Sequence, residues 1–201
     1  MSTAWESCLA RISITTKDDD RVARMRRIVI TGGPGSGKTT LLAALRARGH
    51  RAVDESARVI IQERLASGVS PRPPAFEFAR QILHRDIAKY EQPPEVDIAF
   101  FDRSIVETLC MVDQAARLDA HELRDLLSRY PYDRRVFVLP PWEAIYTTDS
   151  ERDQTFAEAL RVYETLTRWY RRCDYEIIEV PTGTVEERCA HVLRTLADTD
   201  V

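Results

Sequence analysis

The stretch Ile28–Leu42 limits what this chain can fold into more than any other part of it. Ile28-Val-Ile reads as a buried strand, Thr31-Gly-Gly-Pro-Gly-Ser-Gly37 as a glycine loop, and Lys38-Thr-Thr-Leu-Leu42 as the start of a helix. Inside it, Gly32-x-x-x-x-Gly37-Lys38-Thr39 is the full P-loop pattern in its required strand-to-helix setting. Phosphate needs backbone N–H groups at close range, and the glycines let the chain turn and approach. The helix behind the loop aims its free N–H groups and partial positive charge at the same point. Gly32, Gly33, Pro34, Gly35, Ser36, Gly37, Lys38, Thr39 and Thr40 therefore form the expected cradle for a nucleoside triphosphate. Lys38 reaches for the β- and γ-phosphates, and Thr39 offers a hydroxyl to Mg²⁺.

With 201 residues the chain can build one domain around a sizeable core. A net charge of −3 gives no general electrostatic reason to bind nucleic acid or an anionic membrane. No apolar run is long enough to span a bilayer, and Met1–Ala10 lacks the apolar core of a signal peptide. Cys8, Cys110, Cys173 and Cys189 are scattered, which suits reduced thiols better than a disulfide frame or a zinc site. The expected setting is the cytoplasm, with small molecules as partners. Oligomeric state is left open, a dimer included.

Residues 1–24 show no clear period and read as a variable extension; residues 25–201 read as a single domain. Arg26–Thr31 is the first strand, and Lys38–Arg48 a helix stopped at Gly49. His50–Asp54 is a short second strand, Ala57–Leu65 a helix, and Ser67–Pro74 a loop rich in Gly and Pro. Phe76–Glu91 is a helix with Phe76, Ala79, Ile82, Leu83, Ile87 and Tyr90 near helical spacing. Asp97–Asp102 is the third strand, followed by helices at Ser104–Arg117 and His121–Arg129. Arg135–Leu139 is the fourth strand. Pro140–Asp153 then has no clear period, and loops of that length inside a domain act as lids or binding loops. A helix over Gln154–Arg172 turns Phe156, Leu160, Tyr163 and Tyr170 inward. The strand Glu176–Val180 precedes a last helix opened by the capping box Thr184-x-x-Glu187. The βα alternation predicts a parallel three-layer α/β sheet with right-handed crossovers.

Strand ends on the P-loop side carry the candidate chemistry. Asp102 closes an apolar strand, where a carboxylate can hold Mg²⁺ as a Walker B aspartate does, or cap the next helix. Glu55 follows strand two and can accept a proton from a substrate hydroxyl, with Asp54 competing for the role. Arg58, one turn on, is a candidate substrate clamp. Arg103 presents a planar fork suited to phosphate or carboxylate, and can equally pair with Glu55 or Asp102. Arg152 lies in the long segment, from which a cation can reach the γ-phosphate as charge develops. Trp142 and Tyr146 can stack on a ring of the substrate or pack the lid against the core.

Ile30-Thr-Gly-Gly-Pro-Gly-Ser-Gly-Lys-Thr-Thr40, Asp54-Glu-Ser-Ala-Arg58, Phe101-Asp-Arg-Ser104 and Pro140-Pro-Trp-Glu…Asp149-x-Glu-Arg152 together resemble a family of bacterial predicted ATPases carrying the AAA name. That family is grouped with the kinase domain that phosphorylates nicotinamide riboside, among the P-loop kinases that include deoxynucleoside and thymidylate kinases. The resemblance covers roughly Met25 to Leu196. It implies a five-stranded sheet in the order 2-3-1-4-5, a lid between strands four and five, and ATP (or GTP) with Mg²⁺. Asp102-Arg-Ser104 is similar to the Asp/Glu-Arg-Ser of deoxynucleoside kinases, which puts the general base on Glu55 and a site-holding arginine at Arg103. The segment Asp149–Asp153 carries only Arg152, where many nucleoside kinases have several arginines. The expectation is a kinase moving the γ-phosphoryl of ATP to a small, nucleoside-like hydroxyl acceptor. The alternative is an NTPase switch with water as acceptor.

Overall fold

The computed structural model describes residues 25–93, 96–116, 118–146 and 155–198. The extension 1–24 and Arg152, the arginine expected on a lid, lie outside them. The order of elements is β1 (Arg26–Gly32), α1 (Lys38–Ala47), β2 (Arg51–Val53), α2 (Ser56–Ala66), α3 (Ala75–Tyr90), β3 (Ile98–Asp102), α4 (Ile105–Ala116), α5 (Ala120–Arg129), β4 (Arg135–Leu139), α6 (Phe156–Arg172), β5 (Glu176–Glu179) and α7 (Val185–Ala197). A short 3₁₀ turn, Glu143–Ile145, follows β4. All strand pairs are parallel and the sheet order is β2-β3-β1-β4-β5, as the family resemblance implied.

Alternation along β1 divides the core. Ile28 and Ile30 face α1 and α7, packing with Leu41, Leu45, Phe137, Cys189 and Val192. Val29 faces the other way, onto a larger cluster with Phe101, Ile105, Leu109, Val136, Val138, Trp169 and Tyr170. Both faces of the central strands are thus covered, which is why β1, β3 and β4 read as continuous apolar runs. A satellite cluster of Ile60, Phe78 and Ile82 joins α2 to α3 beyond the sheet edge.

Two stripes differ from expectation. Phe76 is exposed at the first turn of α3, and Phe78 is buried instead. Leu160 is exposed on α6, where the buried side runs through Ala159, Leu166, Trp169 and Tyr170. Ala159 is small enough to bring that helix against the P-loop: its carbonyl oxygen lies 2.9 Å from where a Cβ on Gly33 would sit. α6 starts at a capping box of Thr155 and Glu158, and α7 at the expected one of Thr184 and Glu187.

Register sets what meets at the C-terminal edge. Ile30 is level with Asp102, Val53 with Phe101, and Gly32 with Leu139. Residues just past β1, β2 and β3 therefore converge on one point.

Candidate active site

The loop between β1 and α1 is held open by its glycines. Gly35 and Gly37 take left-handed backbone angles, φ 74° and 78°. A Cβ on Gly35 would fall 2.6 Å from the Tyr146 ring, and one on Gly37 2.6 Å from Nη1 of Arg188. Substitution at either would be strained and would also fill space against a packed neighbour. The amides of Gly35, Gly37, Lys38, Thr39 and Thr40 donate to nothing among the described residues, the state of a helix N-terminus built for an anion. Ser36 Oγ is buried and likewise without a partner.

The β2–β3 side of the loop is a chain of paired charges. The Lys38 ammonium sits on Oδ1 of Asp102 and lies 4.0 Å from Glu55 Oε2. Arg103 Nε donates to Glu55 Oε1 at 2.9 Å and its Nη1 to Glu107 Oε2 at 2.8 Å. Tyr170 donates its hydroxyl to the other Glu107 oxygen at 3.0 Å. Arg103 reaches both carboxylates from a left-handed backbone (φ 70°) that is uncommon outside glycine, with its N–H bonded to Ile30 O at 3.1 Å. Burial alone would raise the Glu55 carboxyl, but Arg103, Lys38 and Arg58 overcome it and hold its pKa below the ordinary value. For Arg103, burial works against the charge, and Glu55, Glu107 and Asp102 more than compensate, so its pKa is raised.

Competing roles separate here. Asp54 also lines the cleft, but its carboxylate is largely exposed and is paired with Arg46. Ser104, not Asp102, supplies the side-chain acceptor at the start of α4, through Glu107 N–H at 3.4 Å. Asp102 is thereby left to the site. Arg58 lines the cleft beyond Glu55, as do Asp86, Met111 and Gln114. Asp86 accepts from Ser56 Oγ at 2.5 Å and Thr108 Oγ1 at 2.7 Å, and burial raises its pKa above the ordinary carboxylate value.

The β4–β5 side is different in kind. Trp142 lines the cleft, whereas Tyr146 is not in its wall: it packs on Gly35 and edge-on to Phe156, with centroids 5.5 Å apart. Arg188, from the first turn of α7, is 3% exposed and donates Nη2 to Ser36 O at 2.9 Å. No motif or spacing in the sequence singles out Arg188, Glu107 or Asp86. One indirect signal for Arg188 is present, since the capping box at Thr184 starts a helix directly after β5 and so at the ligand edge.

Thr39, exposed at the head of α1, and Asp102 form a hydroxyl-plus-carboxylate donor pair. That set suits Mg²⁺, which keeps several waters and takes other ligands from phosphates. The second Asp102 oxygen carries no hydrogen bond among the described residues.

Loop, sheet order and strand-end carboxylates define a protein of the P-loop, nucleotide-kinase-like fold. Residues 27–188 match the model of the AAA domain family, and the chain belongs to that family. No curated protein matches it in sequence. Among solved structures, it is similar to the NadR protein in complex with NR, at TM-score 0.64 and 15% identity, covering 90% of this chain and 52% of that one. NadR in complex with NAD and AMP-PNP gives 0.60 and 14%, covering 92% and 52%. This chain thus spans about half of those NadR chains. Deoxyadenosine kinase from M. mycoides with products dCMP and dCDP gives 0.54 and 17%, covering 86% of this chain and 99% of that one. Among the described residues, no helix is long and apolar enough to cross a membrane.

Proposed function

We propose that this chain transfers the γ-phosphoryl group of ATP to a hydroxyl of a small, nucleoside-like acceptor. The observation that carries the reading is a cleft of about 1640 Å³ that runs from the P-loop past Glu55 and Arg103 onto α2, α3 and α4. A pocket for one small ligand commonly measures roughly 300–1,000 Å³. A donor and an acceptor can therefore lie in it side by side, with Glu55 and Lys38 between them. The similar structures bound to NR and to dCMP support a nucleoside-like acceptor through likeness of fold.

In this reading the loop amides and Lys38 hold the β- and γ-phosphates. Thr39 and Asp102 would hold Mg²⁺, which neutralises charge on the phosphate oxygens when bound. Glu55 accepts the hydroxyl hydrogen of the acceptor and orients its oxygen. Its lowered pKa keeps it ionised but makes it a weak base, which is sufficient because phosphoryl transfer depends mainly on positioning and charge stabilisation. The acceptor oxygen bonds to the γ-phosphorus, the bond to the β–γ bridging oxygen breaks, ADP leaves, and the proton passes through Glu55 to solvent. Arg103 fixes Glu55 by a two-carboxylate grip. Arg152, on the segment between β4 and α6, supplies the cation for the developing charge. The same loop would hold GTP.

The test is ATP consumption with and without a panel of nucleosides, with phosphorylated product identified by mass spectrometry. Acceptor-dependent turnover is expected. Hydrolysis at one rate whatever the acceptor would replace the kinase reading with an NTPase that uses water.

A further inference from the structure

Arg188 is a buried cation at the P-loop that the phosphoryl-transfer reading leaves without a task. It stands four residues after the Thr184 cap and is 3% exposed. Nη2 donates to the Ser36 carbonyl at 2.9 Å, and its Cζ lies 5.9 Å from the centre of the Trp142 ring. Nε is buried with no partner, and no carboxylate pairs with the guanidinium among the described residues. Burial accordingly lowers its pKa. Glu187, one residue away, is committed to the Thr184 cap. Two other arginines behave otherwise: Arg26 is paired with Asp133, and Arg103 with Glu55 and Glu107. Taking a guanidinium out of water without an acid costs stability, so a fold that needed it only for packing would do better with an apolar side chain.

Its surroundings say what would complete it. Gly33 to Thr40, Trp142, Thr184 and Arg188 line the same cleft. Nη1 lies just over Gly37, the residue before Lys38. Sheet order puts α7 on the β4–β5 side of the loop, whereas Lys38 is drawn to Asp102 on the β3 side. A phosphate chain lying along the loop would meet Lys38 at the end where the transferred group sits and Arg188 at the other.

We propose that Arg188 is a second cationic arm of this site, gripping the diphosphate portion of a bound nucleotide from the side opposite Lys38. The proposal rests on the nucleotide-binding reading of the P-loop. Its planar fork suits phosphate oxygens, and Trp142 shelters the contact from water. The contact belongs to ground-state binding and is common to di- and triphosphates, unlike a cation that acts only as charge develops on the γ-phosphate.

Titration calorimetry of the full chain with ATP, ADP, AMP and inorganic pyrophosphate tests this, using wild type and Arg188→Met, Arg188→Gln and Arg188→Lys. Met and Gln should weaken ATP and ADP by the same factor, roughly 10- to 100-fold, the range for losing charge-assisted hydrogen bonds. AMP should change much less, Lys should recover most of the loss, and the affinity for ADP should depend less on salt in Gln than in wild type. Without ligand, the Met variant should melt no lower than wild type, because an unpaired buried charge is gone. A packing role predicts the reverse: Gln, still able to donate to Ser36 O, would rescue binding, and Met would melt lower. Either result would overturn the inference, as would unchanged affinity in folded Met and Gln variants. Wild-type protein that binds neither nucleotide nor pyrophosphate would remove the nucleotide reading itself, and this inference with it.

Discussion

The two walls of the cleft manage charge in opposite ways. On the β2–β3 wall the ions beside the P-loop meet their opposites: Lys38 with Asp102 and Glu55, Arg103 with Glu55 and Glu107, with Tyr170 on the remaining Glu107 oxygen. On the β4–β5 wall Arg188 is buried against a carbonyl and an indole with no acid among the described residues. Buried ion pairs come close to breaking even in stability, so a paired wall is best understood as a device for geometry. It fixes the direction of Glu55 before any ligand arrives. An unpaired wall is a net cost to the empty fold that a ligand can offset, so it belongs to affinity. One wall aligns the chemistry and the other holds what is to be aligned.

The sharpest break in this contrast concerns Arg152, which follows Trp142–Tyr146 in the chain. If it acts on the γ-phosphate only as charge develops, it belongs to neither scheme. Arg152→Ala should then cut turnover on the order of 10³-fold, about 4 kcal/mol, and leave the Kd for ATP nearly intact. Single-turnover rates and calorimetry on one preparation give both quantities. An equal loss in rate and affinity would move Arg152 into the same ground-state role as Arg188.

Next in size is the paired wall itself. Arg103→Met removes one cation from between two carboxylates, and Glu107 is almost wholly buried. Stranding a buried charge costs roughly 3–5 kcal/mol, and the partial exposure of Arg103 places the expectation near the lower figure, about 3 kcal/mol. Denaturant unfolding measures it, and Glu107→Leu in the same chain should recover a large part. A loss under about 1 kcal/mol would mean that the charges on this wall are held independently, not as a network.

What could be read from the sequence tracks how local each cause is. Gly32–Thr40, Asp102 and the strand order follow from contiguous residues or from a resemblance that those residues carry. Local sequence offers Glu55 and Asp54 side by side, and only the fold sets them apart: Asp54 pairs with Arg46, and the left-handed turn at Arg103 brings its fork onto Glu55. A strained φ at a non-glycine residue leaves no mark in a propensity pattern. Arg188 and Glu107 sit on amphipathic helices among other charged residues, and only the approach of α7 to the loop and of α6 to α4 buries them. Phe76 and Leu160 fail in the converse direction, apolar by period yet beyond the reach of the sheet. In both cases tertiary contact, absent from any single helical stripe, decides burial.

The smallest expected effects separate the two neighbouring acids. Glu55→Gln should lower turnover about 10²-fold, the low end for a general base, because its depressed pKa makes it weak in that role. The sign of the pH effect follows from the same depression. A carboxyl whose folded pKa lies below its unfolded value adds stability that is whole above the ordinary glutamate range and is lost as pH falls through the folded value. Wild-type turnover should accordingly show no acid limb from Glu55 between pH 6 and 8, on the order of two units above that range. The Gln variant should lose part of the stability difference between neutral and acidic pH that wild type shows in unfolding titrations. Asp54→Asn, by contrast, breaks only an exposed pair with Arg46 and should change stability by roughly 0.5 kcal/mol or less, with turnover untouched. An acid limb near pH 6 that vanishes in Glu55→Gln would mean that burial, not Arg103, governs that carboxyl. A hundredfold loss in Asp54→Asn would mean that the reacting oxygen lies against the edge of β2 and not against the paired wall.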